Sequence, residues 1–178
     1  IDVLGEVDNC VMILDNIYSS YHHTRGNRDY GSITFQPDKT SGSVLTLNLV
    51  GDNRLGCIQY DNRSKVDDDT KNNYLVIEGE GSLTVADADF HVAQGVDQAA
   101  GGVKGYYANH YDSAIGNADD RDNTYGIKIN SGTIFAGTTA AENCSAIGGG
   151  GNGVGEVIIN GGTVTAVAST TGTAIGGG

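Results

Sequence analysis

The sequence has no tryptophan, one proline, one methionine and three cysteines in 178 residues. Cys10, Cys57 and Cys144 are too few and too scattered for a disulfide scaffold or a zinc knuckle. No His or cation adjoins any of them in the chain, so nothing prepares a thiolate nucleophile. Cys10 and Cys57 lie among apolar neighbours, where a free thiol acts as a small buried hydrophobe. Basic residues are also scarce: 10 Lys and Arg stand against 22 Asp and Glu, a formal charge of −12. A protein that tracks phosphates needs surplus cations, so no nucleic acid is expected as a partner. The same deficit disfavours adsorption to an anionic membrane. No stretch approaches the roughly 18 to 20 apolar residues of a spanning helix, so no membrane insertion is expected either. The opening Ile1-Asp2-Val3-Leu4-Gly5-Glu6 has no basic n-region or apolar h-region, hence no signal peptide. The chain stops within a pattern at Ala174-Ile175-Gly176-Gly177-Gly178, and both ends read as cut from a longer protein.

Glycine, by contrast, is abundant, with 28 residues. An interior Gly costs a helix about 1 kcal/mol relative to Ala, which argues against a helical bundle. The glycines do not recur every third residue, which excludes collagen. They punctuate a repeat. Ile127-Lys128-Ile129-Asn130-Ser131-Gly132-Thr133-Ile134-Phe135-Ala136 returns 30 residues later as Val157-Ile158-Ile159-Asn160-Gly161-Gly162-Thr163-Val164-Thr165-Ala166. Each is followed by a second element, Ser145-Ala146-Ile147-Gly148-Gly149 and Thr173-Ala174-Ile175-Gly176-Gly177, and Ser113-Ala114-Ile115-Gly116-Asn117 is a third copy of it. Weaker copies of the first element run over 75–85 and 44–53, and Gly56-Cys57-Ile58 stands where later copies carry Ala-Ile, which makes Cys57 an Ala equivalent.

Within each unit apolar residues alternate with period two, as a strand with one buried face requires. The Asn-Gly-Gly or Asn-Ser-Gly that follows supplies the positive φ of a tight corner. Short strands, glycine corners and a repeat near 30 residues predict an all-β, right-handed parallel β-helix, a solenoid whose stacked coils share one apolar column. An up-and-down sandwich is the alternative; the leucine-rich period is absent. Ile129, Ile147 and Ile159 are expected in the column. Residues 1–178 are taken as one such domain, an excerpt of a longer repeat protein, with loop insertions at about 59–74 and 87–124. The segment Tyr18 to Arg25 is a third polar, aromatic-bearing insertion.

The run 146–166, Ala-Ile-Gly-Gly-Gly-Gly-Asn-Gly-Val-Gly-Glu-Val-Ile-Ile-Asn-Gly-Gly-Thr-Val-Thr-Ala, resembles repeats of large secreted or wall-anchored bacterial surface proteins. Residues 11–18 and 75–85 are similar to the polysaccharide-binding parallel β-helix family. The resemblance spans about 10–178 and implies an extracellular or cell-surface location in a bacterium. The insertions 59–74 and 87–124 have no counterpart in it, so no binding residue carries over to them.

Solenoid insertions often build the binding face. The insertion 87–124 concentrates Tyr106, Tyr107, Asn109, His110, Tyr111 and Asp112, rings for stacking on sugars beside hydrogen-bonding partners. These are the candidate ligand-binding residues; the alternative is that the rings pack the loop against the solenoid. Asp119, Asp120, Asp122 and Asn123 offer hard oxygen ligands, a candidate calcium site, as do Asp67, Asp68 and Asp69. Neither run has the EF-hand spacing, and short acidic runs are commonly solvated loop surface. No cofactor is required, and calcium is the one metal the composition suits. The adjacent pair His22-His23 is better read as solvated loop than as metal ligands. Catalysis is not expected. Lyase chemistry wants an Arg or Lys base beside calcium carboxylates, and Lys128 is taken as the only basic residue in the regular coils.

The sequence therefore points to a non-enzymatic, adhesin-like binding module for a polysaccharide or host glycoprotein. The alternatives are a structural stalk, or a binder of a host protein such as an immunoglobulin through its loops. A polysaccharide lyase or hydrolase is the less favoured class, since fold analogy alone does not give function. The ends are expected to meet neighbouring domains or coils of the same parent chain.

Overall fold

The structure is a computed structural model that describes residues 1–5, 8–19, 23–24, 29–30, 32–37, 42–60, 73–86, 113–116, 124–137, 145–149, 155–168 and 171–177. Among these residues the protein is all-β, without helix, and its strands form three parallel sheets and one small hairpin. The first sheet aligns β1 (Asp2–Gly5), β6 (Ile33–Pro37), β9 (Ile58–Tyr60), β12 (Ile115–Gly116), β15 (Ile147–Gly148) and β18 (Ile175–Gly176). The second aligns β2 (Cys10–Asp15), β7 (Val44–Val50), β10 (Tyr74–Gly79), β13 (Thr124–Ile129) and β16 (Gly155–Ile159). The third aligns β3 (Tyr18–Ser19), β8 (Asp52–Leu55), β11 (Ser82–Ala86), β14 (Thr133–Gly137) and β17 (Thr163–Val167). The antiparallel hairpin pairs β4 (His23–Thr24) with β5 (Asp29–Tyr30); of the Tyr18 to Arg25 segment expected as a polar insertion, β4 lies in this hairpin while Tyr18 and Ser19 form β3 of the third sheet.

The chain visits the three sheets in one fixed order, and each visit adds a strand beside the previous one. This arrangement is compatible with the expected parallel β-helix or solenoid. The 30-residue offset of the sequence is the pairing register itself: Ile127↔Val157, Ile129↔Ile159, Thr133↔Thr163 and Ala136↔Ala166. Cys57 precedes the Ile58↔Ile115 pair and so falls opposite Ala114, the equivalence expected from sequence, and it is buried.

Period-two alternation sends Leu45, Leu47 and Leu49, then Leu75 and Ile77, then Ile127 and Ile129, into one enclosed column. Phe35 and Tyr60 stack within it, ring centroids 5.2 Å apart. Burying such a side chain contributes about 1.5–3 kcal/mol. One inward position is polar. Asn53 pairs with Leu83 in register yet is fully buried, because its amide is fully used. It donates to the carbonyls of Val50 (3.0 Å) and Ser82 (3.1 Å) and accepts from the Ile17 N–H (3.0 Å), tying three successive repeats at one corner.

The corner between the second and third sheets is tight in every repeat, closing through residues 16–17, 51, 80–81, 130–132 and 160–162. Gly132 and Gly162 have φ of 97° and 85°, as the Asn-Ser-Gly and Asn-Gly-Gly corners predict. A different constraint acts in the first sheet. A Cβ on Gly116 would overlap the Gly148 carbonyl oxygen, and one on Gly148 that of Gly176, so these two positions must be glycine, although Gln59 and Thr34 precede them in the same register.

One sequence expectation needs correction. Ile129 and Ile147 are fully buried, but Ile159 is 44% exposed. It shares the inward register of Ile129, yet among the described residues β16 is the outer strand of its sheet and no strand lies beyond it. Two substitutions therefore separate in effect. Ile129→Asp places an unpaired charge inside the column and should abolish cooperative folding, since that costs several kcal/mol. Ile159→Asp leaves its carboxylate near water and should cost about 1 kcal/mol, within the ordinary range of single substitutions. Urea unfolding of the two variants measures the difference.

Candidate functional site

The tight corner has a counterpart in where the chain is allowed to lengthen. The long connections all join the first sheet to one of the others. Residues 61–73 run from the first sheet to the second, between β9 and β10. Residues 87–114 run from the third sheet to the first, between β11 and β12. The hairpin of β4 and β5 also lies on a passage from third to first. Because β9 and β12 are paired neighbours, these two connections leave and enter the first sheet at adjacent strands. Those strands are only two and three residues long, so the two insertions flank one narrow part of the sheet.

Buried hydrogen bonds pin the bases of both insertions. Tyr60, at the exit of β9, is fully buried and its hydroxyl donates to the carbonyl of Asn73 (3.0 Å), where the chain returns. Asn73 is itself buried and accepts the Ser43 N–H through its side-chain oxygen (2.9 Å), while the Tyr74 N–H donates to the Ser43 carbonyl (2.8 Å). Tyr60 thus closes the first insertion like a clasp. Burial pushes its phenol well above the usual tyrosine range, with the neighbouring Tyr74 adding to the rise. At the return of the second insertion, Ser113 is buried; its hydroxyl donates to the Gly149 carbonyl (2.8 Å) and lies 3.2 Å from the Ser145 hydroxyl.

On the outer side of the first sheet, Thr34 and Gln59 are register partners that alternate with the inward Ile33, Phe35, Ile58 and Tyr60. They point away from the column, yet they are 0% and 4% exposed. Thr34 Oγ1 and Gln59 Oε1 are buried without a hydrogen-bond partner. Buried polar atoms are nearly always satisfied, so this pair marks a covered polar spot on the outer side of the sheet that the insertions border.

A depression of about 540 Å³ lies over the tight corner, lined by Asn48, Leu49, Val50, Gly51, Gly79, Glu80, Gly81, Ser82 and Thr133. Beside it, Asp52 accepts from the Ser82 hydroxyl (2.8 Å) and from Arg54 (3.0 and 3.1 Å), and these contacts lower its carboxyl below the ordinary value. Such an exposed pair contributes about 0–1 kcal/mol. Arg54 lies in β8, so Lys128 is not the only basic residue in the regular strands, contrary to the sequence expectation. Lys128 sits over the Tyr74 ring, 3.3 Å from its centroid, a cation–π contact on the outer face of the second sheet.

The candidate ligand residues Tyr106, Tyr107, Asn109, His110, Tyr111 and Asp112 lie outside the described residues, as do the candidate calcium ligands Asp119, Asp120, Asp122 and Asn123. The acidic run Asp67–Asp69 also lies outside them, as does His22. Among the described residues no group of three His, Cys, Asp or Glu side chains is placed to hold a metal ion. Sequence reasoning assigned Tyr60 to the insertion 59–74; the structure makes it a core residue at the insertion's base. The period-two position it shares with Phe35 was the available signal.

Tyr60→Phe keeps the ring stack but removes the hydroxyl's hydrogen bond to the buried Asn73 carbonyl. It should cost about 0.5–1.5 kcal/mol in urea unfolding and speed proteolytic cutting within 61–72. The Tyr60 phenol is raised in the folded state above the ordinary 10.0 of a free tyrosine. The folded state therefore holds a proton that the unfolded state gives up above pH 10, and stability should fall as pH rises past that point. Tyr60→Phe should remove that part of the alkaline loss.

Comparison with protein-family models, with curated proteins and with solved structures finds no match to this chain. The functional reading accordingly rests on the geometry above and on the sequence patterns.

Proposed function

We propose that the chain is part of a right-handed parallel β-helix that displays its insertions for binding a polysaccharide or host glycoprotein at a bacterial cell surface, without catalysis. The right-handed sense follows from the strong preference for right-handed connections between parallel strands of one sheet. One observation carries the functional reading: the long connections all border the first sheet, and those of residues 61–73 and 87–114 meet it at the neighbouring strands β9 and β12. A chain free to lengthen anywhere in a solenoid would scatter its insertions. Here they gather on a rigid, hydrogen-bonded base, the arrangement of a scaffold that holds recognition loops.

The chemistry of the insertions suits a glycan. Tyr106, Tyr107 and Tyr111 offer flat apolar faces with hydroxyl tips, and Asn109, His110 and Asp112 supply donors and acceptors for sugar hydroxyls. Asp119, Asp120, Asp122 and Asn123 stand at the return of the chain to β13, where calcium would stiffen the loop base. The resemblance to polysaccharide-binding β-helices and to wall-anchored repeat proteins points the same way. A pure stalk needs none of these side chains.

A glycan array probed with the 178-residue chain tests this reading, paired with the triple variant Tyr106→Ala, Tyr107→Ala, Tyr111→Ala. The expected result is capture of a defined glycan class, lost in the variant while the thermal midpoint stays within about 2 °C, as for surface changes under 0.5 kcal/mol. An array with no signal, alongside capture of immunoglobulin or another host protein from serum, would replace the glycan by a protein partner. Unfolding of the variant would assign the rings to packing instead.

A further inference from the structure

We infer that the covered polar spot on the outer side of the first sheet binds one water molecule, shared by the Thr34 hydroxyl and the Gln59 side-chain carbonyl. Two observations carry this. Thr34 Oγ1 and Gln59 Oε1 are buried atoms without a hydrogen-bond partner, on residues that are 0% and 4% exposed. They also belong to adjacent residues of one row, since Thr34 and Gln59 are register partners on the interior strands β6 and β9. Leaving either atom unpaired carries a desolvation penalty that native proteins rarely accept, and here two such atoms fall at one step of the register.

The chemistry of the two atoms selects the occupant. Gln59 Oε1 only accepts, so the occupant must donate a hydrogen. Thr34 Oγ1 donates or accepts, so a second hydrogen or a lone pair on the same occupant completes it. A metal ion does not fit: among the described residues no group of three His, Cys, Asp or Glu is placed to hold one, and two neutral oxygens do not repay the burial of a charge. A sugar ring is too large for a spot whose side chains are this deeply covered. Water is small and neutral, and it carries both hydrogens and lone pairs. The spacing suits it as well. Strands in register lie about 4.8 Å apart, close to the roughly 4.5 Å between two oxygens that one water bridges with bonds of about 2.8 Å.

The rest of the row shows the same space filled by other means. Beyond Gln59 it continues as Gly116 and Gly148, where the carbonyl oxygen of the following repeat takes the place of a Cβ. Backbone fills the row in the later repeats, and a side-chain pair with its water fills it in the earlier ones. The bridge ties β6 to β9 on their outer side, while the Phe35–Tyr60 stack ties them on the inner side. It therefore stiffens the strand from which residues 61–73 depart, the same strand whose end carries the Tyr60 clasp. A bridge of this kind is nearly as favourable as a direct hydrogen bond.

A crystal structure of the chain at a resolution that shows single waters is the direct test. The expected result is one ordered peak within hydrogen-bonding distance of both Thr34 Oγ1 and Gln59 Oε1. No peak there, or a direct bond between the two side chains, would overturn the inference. Urea unfolding gives a second reading that needs no crystal. Thr34→Val and Gln59→Met nearly keep the shape of each side chain and remove its polar end. Each alone should lower the urea midpoint, because it leaves the water and the other oxygen short of a partner. The double variant should recover most of that loss, because the water leaves with both partners and an apolar pair of similar shape is close to neutral. Single variants that raise the midpoint would show the two atoms to be dry and overturn the water. Two losses that simply add, or a loss from one variant only, would put the hydroxyl and the amide in separate bonds and overturn it equally.

Discussion

Everything else in the molecule depends on the parallel hydrogen bonding of each strand to its counterpart one repeat away. Those bonds place a residue beside the same residue of the next repeat, so a choice made once is enforced along a column. Leu45, Leu75, Ile127 and Val157 follow one another in register, and so do Leu47, Ile77, Ile129 and Ile159. No single repeat can enclose its inward face; each is buried by its neighbours. The glycines at 116 and 148 are the same rule applied to backbone, since each must admit the carbonyl of the next repeat.

The register also decides where variation is tolerated. The corner between the second and third sheets turns on one to three residues with glycines at positive φ, and Asn53 bonds there to three successive repeats. Extra chain there would break those bonds. The first sheet has strands as short as two residues, tied at their flanks by Tyr60, Asn73 and Ser113, and the connections on either side of it accept long insertions. Rigidity at one corner and freedom around one sheet are two results of a single pairing scheme, and they define the side of the molecule on which recognition is proposed.

Much of this was legible in the sequence because columns repeat residues. The 30-residue offset, the Ala-Ile-Gly element and the standing of Cys57 as an Ala equivalent all reappear as register partners. Where a column changes residue type, sequence reading failed. Asn53 looks like a turn residue, yet it occupies a position filled elsewhere by Leu83, Ile134 and Val164. Tyr60 looks like the first residue of a polar insertion, because its inward neighbour Phe35 belongs to another repeat. Ile159 repeats Ile129 in sequence, and only the outer place of β16 explains its exposure. The insertions repeat nothing, so their residues could be nominated by chemistry alone.

The column is tested most directly by contacts among isoleucine methyl groups in a selectively labelled sample. Nuclear Overhauser effects should link Ile33 to Ile58, Ile58 to Ile115, Ile115 to Ile147 and Ile147 to Ile175, each to its register neighbour. Pairs that skip a strand, such as Ile33 and Ile115, should show none, because neighbouring strands are about 4.8 Å apart and the intervening side chain fills the gap. Contacts that skip members of the series, or absence of the chain of neighbours, would contradict the stacked register on which the fold and the proposed binding side both rest.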